Sequence, residues 1–182
     1  MTVESVLRVI PATENQCRGH LWWRDRSYPC ALGRGGVLPA SRKREGDGAS
    51  PAGLYPLLGL YYRADRLDLP EMRHQSALPA QKIAPHLGWC DDPGCDSYNS
   101  AVNLPHPGSA ESLWRGDSLY DLLVVLGHNQ NPAVPGRGSA IFLHVARDGF
   151  SPTQGCVAIA REALLEILPE LSAGAMMRIH LP

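Results

Sequence analysis

The sequence predicts a mostly-β domain with a few helices, an α+β chain in which strands carry the core. Three observations lead there. Short apolar stretches recur along the chain, bounded by Gly, Pro, Asn and Asp. Gly and Pro are frequent, at 18 and 16 of 182 residues, which leaves little room for long uninterrupted helices. Only one stretch, "REALLEILPEL" near the end, carries a clear helical period.

Taken in order, "SVLRVI" alternates loosely and reads as a strand. "CRGHLWWR" reads as a second, so that at least one of Trp22 and Trp23 belongs to the core. "YPCALGRGG" is a turn-rich exit whose Gly33, Gly35 and Gly36 tolerate positive φ. "SRKREGDGASPAGLYPLLGLYYR" begins polar and ends apolar and aromatic, a loop feeding a strand. From about Asp65 to Gly116 the pattern is irregular, with several prolines and room for one short helix. A loop of that length in a compact domain usually serves as a lid or a substrate wall. Leu122 to Leu126 form a buried strand, and "GSAIFLHVA" another that ends near His144. In the late helix Leu164, Leu168 and Leu171 fall at i, i+4 and i+7, and Pro169 should disturb the last turn. "AMMRIHL" closes the chain as a strand. The expected organisation is one domain over residues 1–182 with an insertion at about 65–116.

Composition narrows the function. With 44% hydrophobic and 19% charged residues the chain is an ordinary globular protein. A net charge of −1 offers no basic field for nucleic acid, and no Lys/Arg-rich block suits a membrane surface. Glu4 and Arg8 interrupt the N-terminal apolar residues, so no secretory signal is read there. No apolar run approaches the ~20 residues of a membrane span. A cytoplasmic location is expected, or a periplasmic one if the true start lies elsewhere or export is nonclassical.

The five cysteines leave at least one unpaired. Cys90 and Cys95 in "WCDDPGC" read as reduced thiols or a local disulfide. Their spacing is too wide for a CxxC half-site and no second pair follows. His20, His74, His86, His106 and His180 show no ligand spacing. No metal and no cofactor is expected. Asp91 and Asp92 read as paired carboxylates or, better, as a turn before Pro93.

The chemistry concentrates in "FLHVARDGFSPTQGCVAIA". His144 ends a strand, and Cys156 follows 12 residues later across a turn-rich loop that can fold the chain back. An imidazole beside a thiol can take its proton and return it to a leaving group. The backbone amides of Gly155 and Cys156 can then face a developing oxyanion. The plain alternative is a buried structural thiol beside a core histidine. A working Cys156 would be expected to carry a lowered pKa and to alkylate well below pH 8.

Two blocks resemble the L,D-transpeptidase (YkuD-type) catalytic domain family. One is His144 followed by "TQGC", namely Thr153, Gln154, Gly155 and Cys156. The other is "KREGDGASPAGLYPL", in which Lys43, Gly46, Pro51, Gly53 and Tyr55 match and Ser50 stands in a Thr place. The resemblance implies a β-sandwich-like domain with Cys and His at one end. It implies attack by Cys156 on the amide between diaminopimelate and terminal D-alanine of a peptidoglycan tetrapeptide stem. A thioester forms, D-alanine leaves, and His144 is general base and acid with its ring oriented by the Val145 carbonyl. An amine acceptor gives a cross-link; water gives a tripeptide.

The sequence departs from the family in a short His-to-Cys spacing, in Gln154 where a His is usual, and in lacking an Arg soon after Cys156. Arg147 and Arg137 are the candidates to replace that Arg at the substrate carboxylate, and Gln154 and Thr153 to support the site. His128 and Asn129 read as a pocket wall or as loop polarity. Tyr98 and Asn99, in "DSYNSAVNLP", read as cleft residues or as turn chemistry. The partner expected is a stem peptide or muropeptide. Because no export signal is read, an L,D-carboxypeptidase of cytoplasmic peptidoglycan recycling is the alternative. A non-catalytic peptidoglycan-binding domain is the rival from another class, and a redox or metal protein using Cys90 and Cys95 a weaker one.

Overall fold

The computed structural model describes residues 6–67, 78–171 and 173–182. His74, and with it the stretch 68–77 of the expected insertion, lies outside the described residues. In chain order the elements are β1 (Val6–Pro11), β2 (Arg18–Trp23), β3 (Arg26–Ala31), β4 (Val37–Pro39), β5 (Ser50–Tyr62) and β6 (Ala80–Lys82). They continue as β7 (Leu87–Cys90), β8 (Ala101–Asn103), β9 (Ala110–Ser112), β10 (Leu122–Leu126), β11 (Phe142–Val145) and β12 (Val157–Ile159). The chain ends with α1 (Arg161–Ile167) and β13 (Met176–Ile179). Among the described residues the fold is mostly strand with one short α-helix, in keeping with the mostly-β class the sequence predicts.

The large sheet runs β10-β11-β12-β3-β2-β1-β13-β5-β4, with β6 added against β5. The 13-residue β5 pairs with β13 through Gly53 to Pro56 and with β10 through Leu57 to Tyr62. The sheet therefore closes on itself through the β5–β10 pairing. A right-handed strand twist accumulated over this many strands favours such closure over a flat sheet.

Alternation along each strand separates the faces. β1 buries Leu7 and Val9 and exposes Arg8 and Ile10. On β2, Trp23 is in the core and Trp22 is half-buried. The core fills with Leu7, Leu21, Trp23, Leu122, Val124, Leu143, Val157 and Ile159, capped by Leu164, Leu168 and Leu171. Each fully buried aliphatic side chain of this kind stabilises the fold by about 1.5–3 kcal/mol. The helix ends at Ile167 and tightens into a 3-10 turn over Leu168–Glu170, where Pro169 removes a backbone donor.

The insertion is more ordered than its sequence suggests. Between Leu87 and Ser112 it forms a small antiparallel sheet, β8-β7-β9. That sheet and the segment after it build a second hydrophobic cluster on the outer face of β10 and β11. It joins Leu87, Trp89, Leu113, Leu119 and Tyr120 to Leu123, Val125, Phe142 and Cys156. Short strands with mixed polarity carry little period-2 signal, so the sequence showed a wall without its architecture.

Candidate active site

β11 and β12 are parallel neighbours, with Leu143 opposite Val157 and His144 opposite Ala158. Side chains alternate, so Leu143 and Val157 enter the main core while Phe142, His144, Cys156 and Ala158 share the other face. His144 and Cys156 both line one cavity of about 380 Å³, and Ala158 between them leaves it open.

The backbone holds both groups. His144 Nδ1 lies 2.8 Å from the Val145 carbonyl, which only accepts, so the proton sits on Nδ1 and Nε2 keeps its lone pair. The ring packs edge-on against Tyr120, centroids 5.3 Å apart. The Cys156 thiol donates to the Ala140 carbonyl at 3.2 Å and accepts the Phe142 amide at 3.4 Å. Ala140 is itself held at φ +52°, an uncommon conformation for a residue with a Cβ. Asn99 fixes it by accepting the Ala140 amide at 3.1 Å and the Trp89 indole at 3.0 Å.

Burial pushes the Cys156 thiol up to about 12, against the smaller pull of the Phe142 amide. The lowered pKa expected of a working nucleophile is not present, and the raised one is what the buried-thiol alternative expects: the second hydrophobic cluster packs on the sulfur and disfavours the thiolate. Burial likewise pushes His144 down to about 4, opposed by its bond to the Val145 carbonyl. The resting pair at neutral pH is a thiol and a neutral imidazole.

The two sequence blocks meet behind this pair. Ser50 accepts the Gly33 amide at 2.9 Å and donates to the Cys156 carbonyl at 3.4 Å. Thr153 donates to the same carbonyl at 2.7 Å and accepts the Gly155 amide at 3.1 Å. The Gly155 amide is thus spent on a local turn and does not point free into the cavity. Gly155 has φ +131°, and a Cβ there would sit 2.9 Å from the Ala49 carbonyl, so the glycine permits this close approach.

Lys43 is buried and pairs with Asp47, whose carboxylate also accepts the amides of Arg44 and Ala49. Burial raises the Asp47 pKa, but the Lys43 bond and the two amides together outweigh it and the net shift is downward. Asp47→Ala is expected to destabilise by about 3–5 kcal/mol, because it strands a buried ammonium. Thermal unfolding should show a drop on the order of 10 °C; an unchanged transition would mean that Lys43 finds another partner.

Of the other residues singled out in the sequence, Arg147, Gln154 and Thr153 line the cavity. Arg137 does not; its guanidinium donates to the Ser41 carbonyl at 2.7 Å. His128 is buried away from the cavity, edge-on to Tyr55 and bonded to the Arg137 carbonyl. Asn129 closes its own loop through Val134 and Gly138. Tyr98 donates to Glu45 and accepts the Gly138 amide, and so backs the cavity wall without lining it. Asp91 lines the cavity, whereas Asp92 accepts the Gly94 amide in a turn.

Sequence reasoning missed Glu45, Glu111, Arg115, Leu119, Tyr120 and Ser139, all in the lining. Glu111 is held high by burial while it accepts the Tyr120 hydroxyl at 2.8 Å. Arg115 is clasped by Asp117 at 2.7 and 2.8 Å. Arg147 carries no side-chain hydrogen bond or ion pair among the described residues and is the unengaged cation of the wall. The one faint signal for the missed set was the long insertion itself, which supplies Glu111 and Arg115.

The family described as YkuD, L,D-transpeptidase catalytic domain, matches residues 18–179. No curated protein matches the chain. Among solved structures, Mycobacterium tuberculosis L,D-transpeptidase 1 is similar at 11% identity and a TM-score of 0.38, over 96% of this chain. This chain spans 61% of the length of that structure.

Proposed function

The chain belongs to the YkuD family of L,D-transpeptidase catalytic domains, and on that premise we propose that it is a cysteine acyl-transfer enzyme acting on the diaminopimelate–D-alanine bond of peptidoglycan tetrapeptide stems. The observation that carries the reading is that His144, on β11, and Cys156, directly before its parallel neighbour β12, line one cavity. His144 Nε2 takes the thiol proton as sulfur attacks the carbonyl. The imidazolium then gives that proton to the departing D-alanine nitrogen, leaving a Cys156 thioester. An acceptor amine or water attacks the thioester carbonyl, and His144 carries the second proton from the acceptor to sulfur.

Because the thiol bonds to the Ala140 carbonyl at rest, its proton must leave that acceptor for His144 when substrate arrives. A neutral resting pair keeps the buried site free of an unpaired charge until then. The charge pattern of the wall supports a peptide rich in both signs: Glu45, Asp91, Glu111, Arg115 and Arg147 line one cavity, with Glu111 and Arg115 paired at 3.4 Å. The diaminopimelate residue of a tetrapeptide stem carries an ammonium and a carboxylate on its side-chain end, and the terminal D-alanine a second carboxylate.

Arg147 is assigned to the substrate carboxylate. Arg147→Ala should raise KM for the tetrapeptide about 10- to 100-fold, the worth of one charge-assisted hydrogen bond. A stem amidated at that carboxylate should show no difference between wild type and variant, and Arg137→Ala should be normal. Equal KM for Arg147→Ala and wild type would remove Arg147 from this role.

The test of the function is incubation of the purified protein with disaccharide-tetrapeptide, read by mass spectrometry. Release of D-alanine supports the reading, and the product names the acceptor: a cross-linked dimer for an amine, a tripeptide for water. An unchanged tetrapeptide with folded protein would sink it.

A further inference from the structure

One end of the small sheet carries a cluster that the reaction does not use. Cys90 ends β7, Cys95 lies in the connection to β8, and His106 lies between β8 and β9. The sheet brings two sulfurs and a ring nitrogen within 4.8 Å of one another. Cys95 Sγ is 3.9 Å from His106 Nε2, and both cysteines are free thiols. Spacing in the sequence hid this set, because the third ligand arrives from another loop.

We infer that Cys90, Cys95 and His106 form a structural zinc site that ties the two loops of the small sheet together. Zinc bonds sulfur at about 2.3 Å and imidazole nitrogen at about 2.0–2.1 Å in tetrahedral geometry, which places neighbouring ligand atoms roughly 3.5–3.8 Å apart. The Cys95–His106 separation is already within a few tenths of an ångström of that. His106 Nδ1 lies 3.3 Å from the Gly108 carbonyl and 3.2 Å from the Gly108 amide. Without metal the Gly108 amide donates to Nδ1; metal binding through Nε2 puts the proton on Nδ1, so the Gly108 carbonyl becomes its acceptor and the amide is released. The Ser97 hydroxyl is 3.1 Å from Nε2 and 3.5 Å from Cys95 Sγ. Its oxygen, or a water in its place, completes the fourth side.

Two thiolates and an imidazole select a thiophilic divalent ion over magnesium or calcium. Binding releases two thiol protons per ion, and two thiolates neutralise the charge of zinc. A neutral complex suits the fully buried Cys90. The metal would stiffen the cavity wall, since Asp91 follows Cys90 directly, Glu111 follows Ala110, the strand partner of Cys90, and Asn99 holds Ala140 under the Cys156 thiol.

The test uses the whole chain, reduced and freed of metal, titrated with cobalt(II) and then zinc. One cobalt per chain is expected, with thiolate-to-cobalt charge-transfer absorption that one equivalent of zinc removes. Zinc should raise the unfolding temperature on the order of 5 °C. Cys95→Ser and His106→Gln should each weaken cobalt binding about 100-fold while keeping the circular dichroism of the metal-free wild type, and Cys17→Ser should bind as wild type. Three outcomes would overturn the site: no charge-transfer absorption from folded wild type, an absorption that survives both substitutions, or a Cys90–Cys95 disulfide as the resting form.

Discussion

Cys156→Ala should release D-alanine from tetrapeptide at least about 10⁴-fold more slowly than wild type, because the proposed acyl intermediate forms on its sulfur. The folded state should survive. The substitution removes one sulfur from the edge of the second cluster, and the Phe142 amide loses only a weak acceptor. A stability loss of about 1–2 kcal/mol is the most that this predicts. The intact mass of wild type under turnover should show an acyl adduct that Cys156→Ala lacks. Retention of D-alanine release by the variant would place the nucleophile elsewhere.

The same burial predicts how the free thiol behaves. A thiol held near pKa 12 alkylates slowly at neutral pH. Half-buried Cys17, whose sulfur makes one weak contact with the Arg34 carbonyl, should be modified before Cys156 in a timed iodoacetamide experiment. Slow alkylation follows from this burial, so D-alanine release, and not thiol reactivity, separates the enzyme from a binding domain.

His144→Ala should lower kcat about a thousandfold with little change in KM, since the ring moves a proton and does not hold substrate in the ground state. For wild type, kcat/KM should be flat through neutral pH and fall only as pH approaches about 4, where His144 gains its proton. A limb near pH 6.5 would mean that the ring is solvated. Stability follows the same group. Its folded pKa lies below the ordinary 6.5, so the unfolded chain binds the proton first as pH falls. The stabilisation is present above 6.5 and is lost on the way to 4, on the order of 3 kcal/mol. His144→Gln should unfold with a shallower acid dependence in that window.

Much of this site was legible. The alternation in "IFLHV" and the Thr-x-Gly-Cys turn are local, and they place His144 and Cys156 from the residues next to them. The match of Lys43, Ser50 and Gly53 to a second block was legible too. Its reason was not: Ser50 reaches the Cys156 carbonyl and Lys43 is neutralised by Asp47 only once β5 lies beside the catalytic loop. Asn99 and Tyr98, read as cleft residues or as turn chemistry, work one layer behind the cavity, on Ala140 and Glu45.

The sequence by itself determined the strand-rich class, the late helix and its break at Pro169, the nucleophile–base candidates and the family. The strands and helix depend on periodicity within a few residues, and the candidates and family on the resemblance of two motif blocks. The tertiary structure alone decided three other things. It closed the sheet through β5, made the insertion the wall bearing Glu111, Arg115 and Tyr120, and set the thiol high and the imidazole low. These depend on which distant segments exclude water from Cys156 and His144, and desolvation is a property of the packed neighbourhood, not of the local chain. The gathering of Cys90, Cys95 and His106 belongs with them, because a ligand set is defined by distances in space.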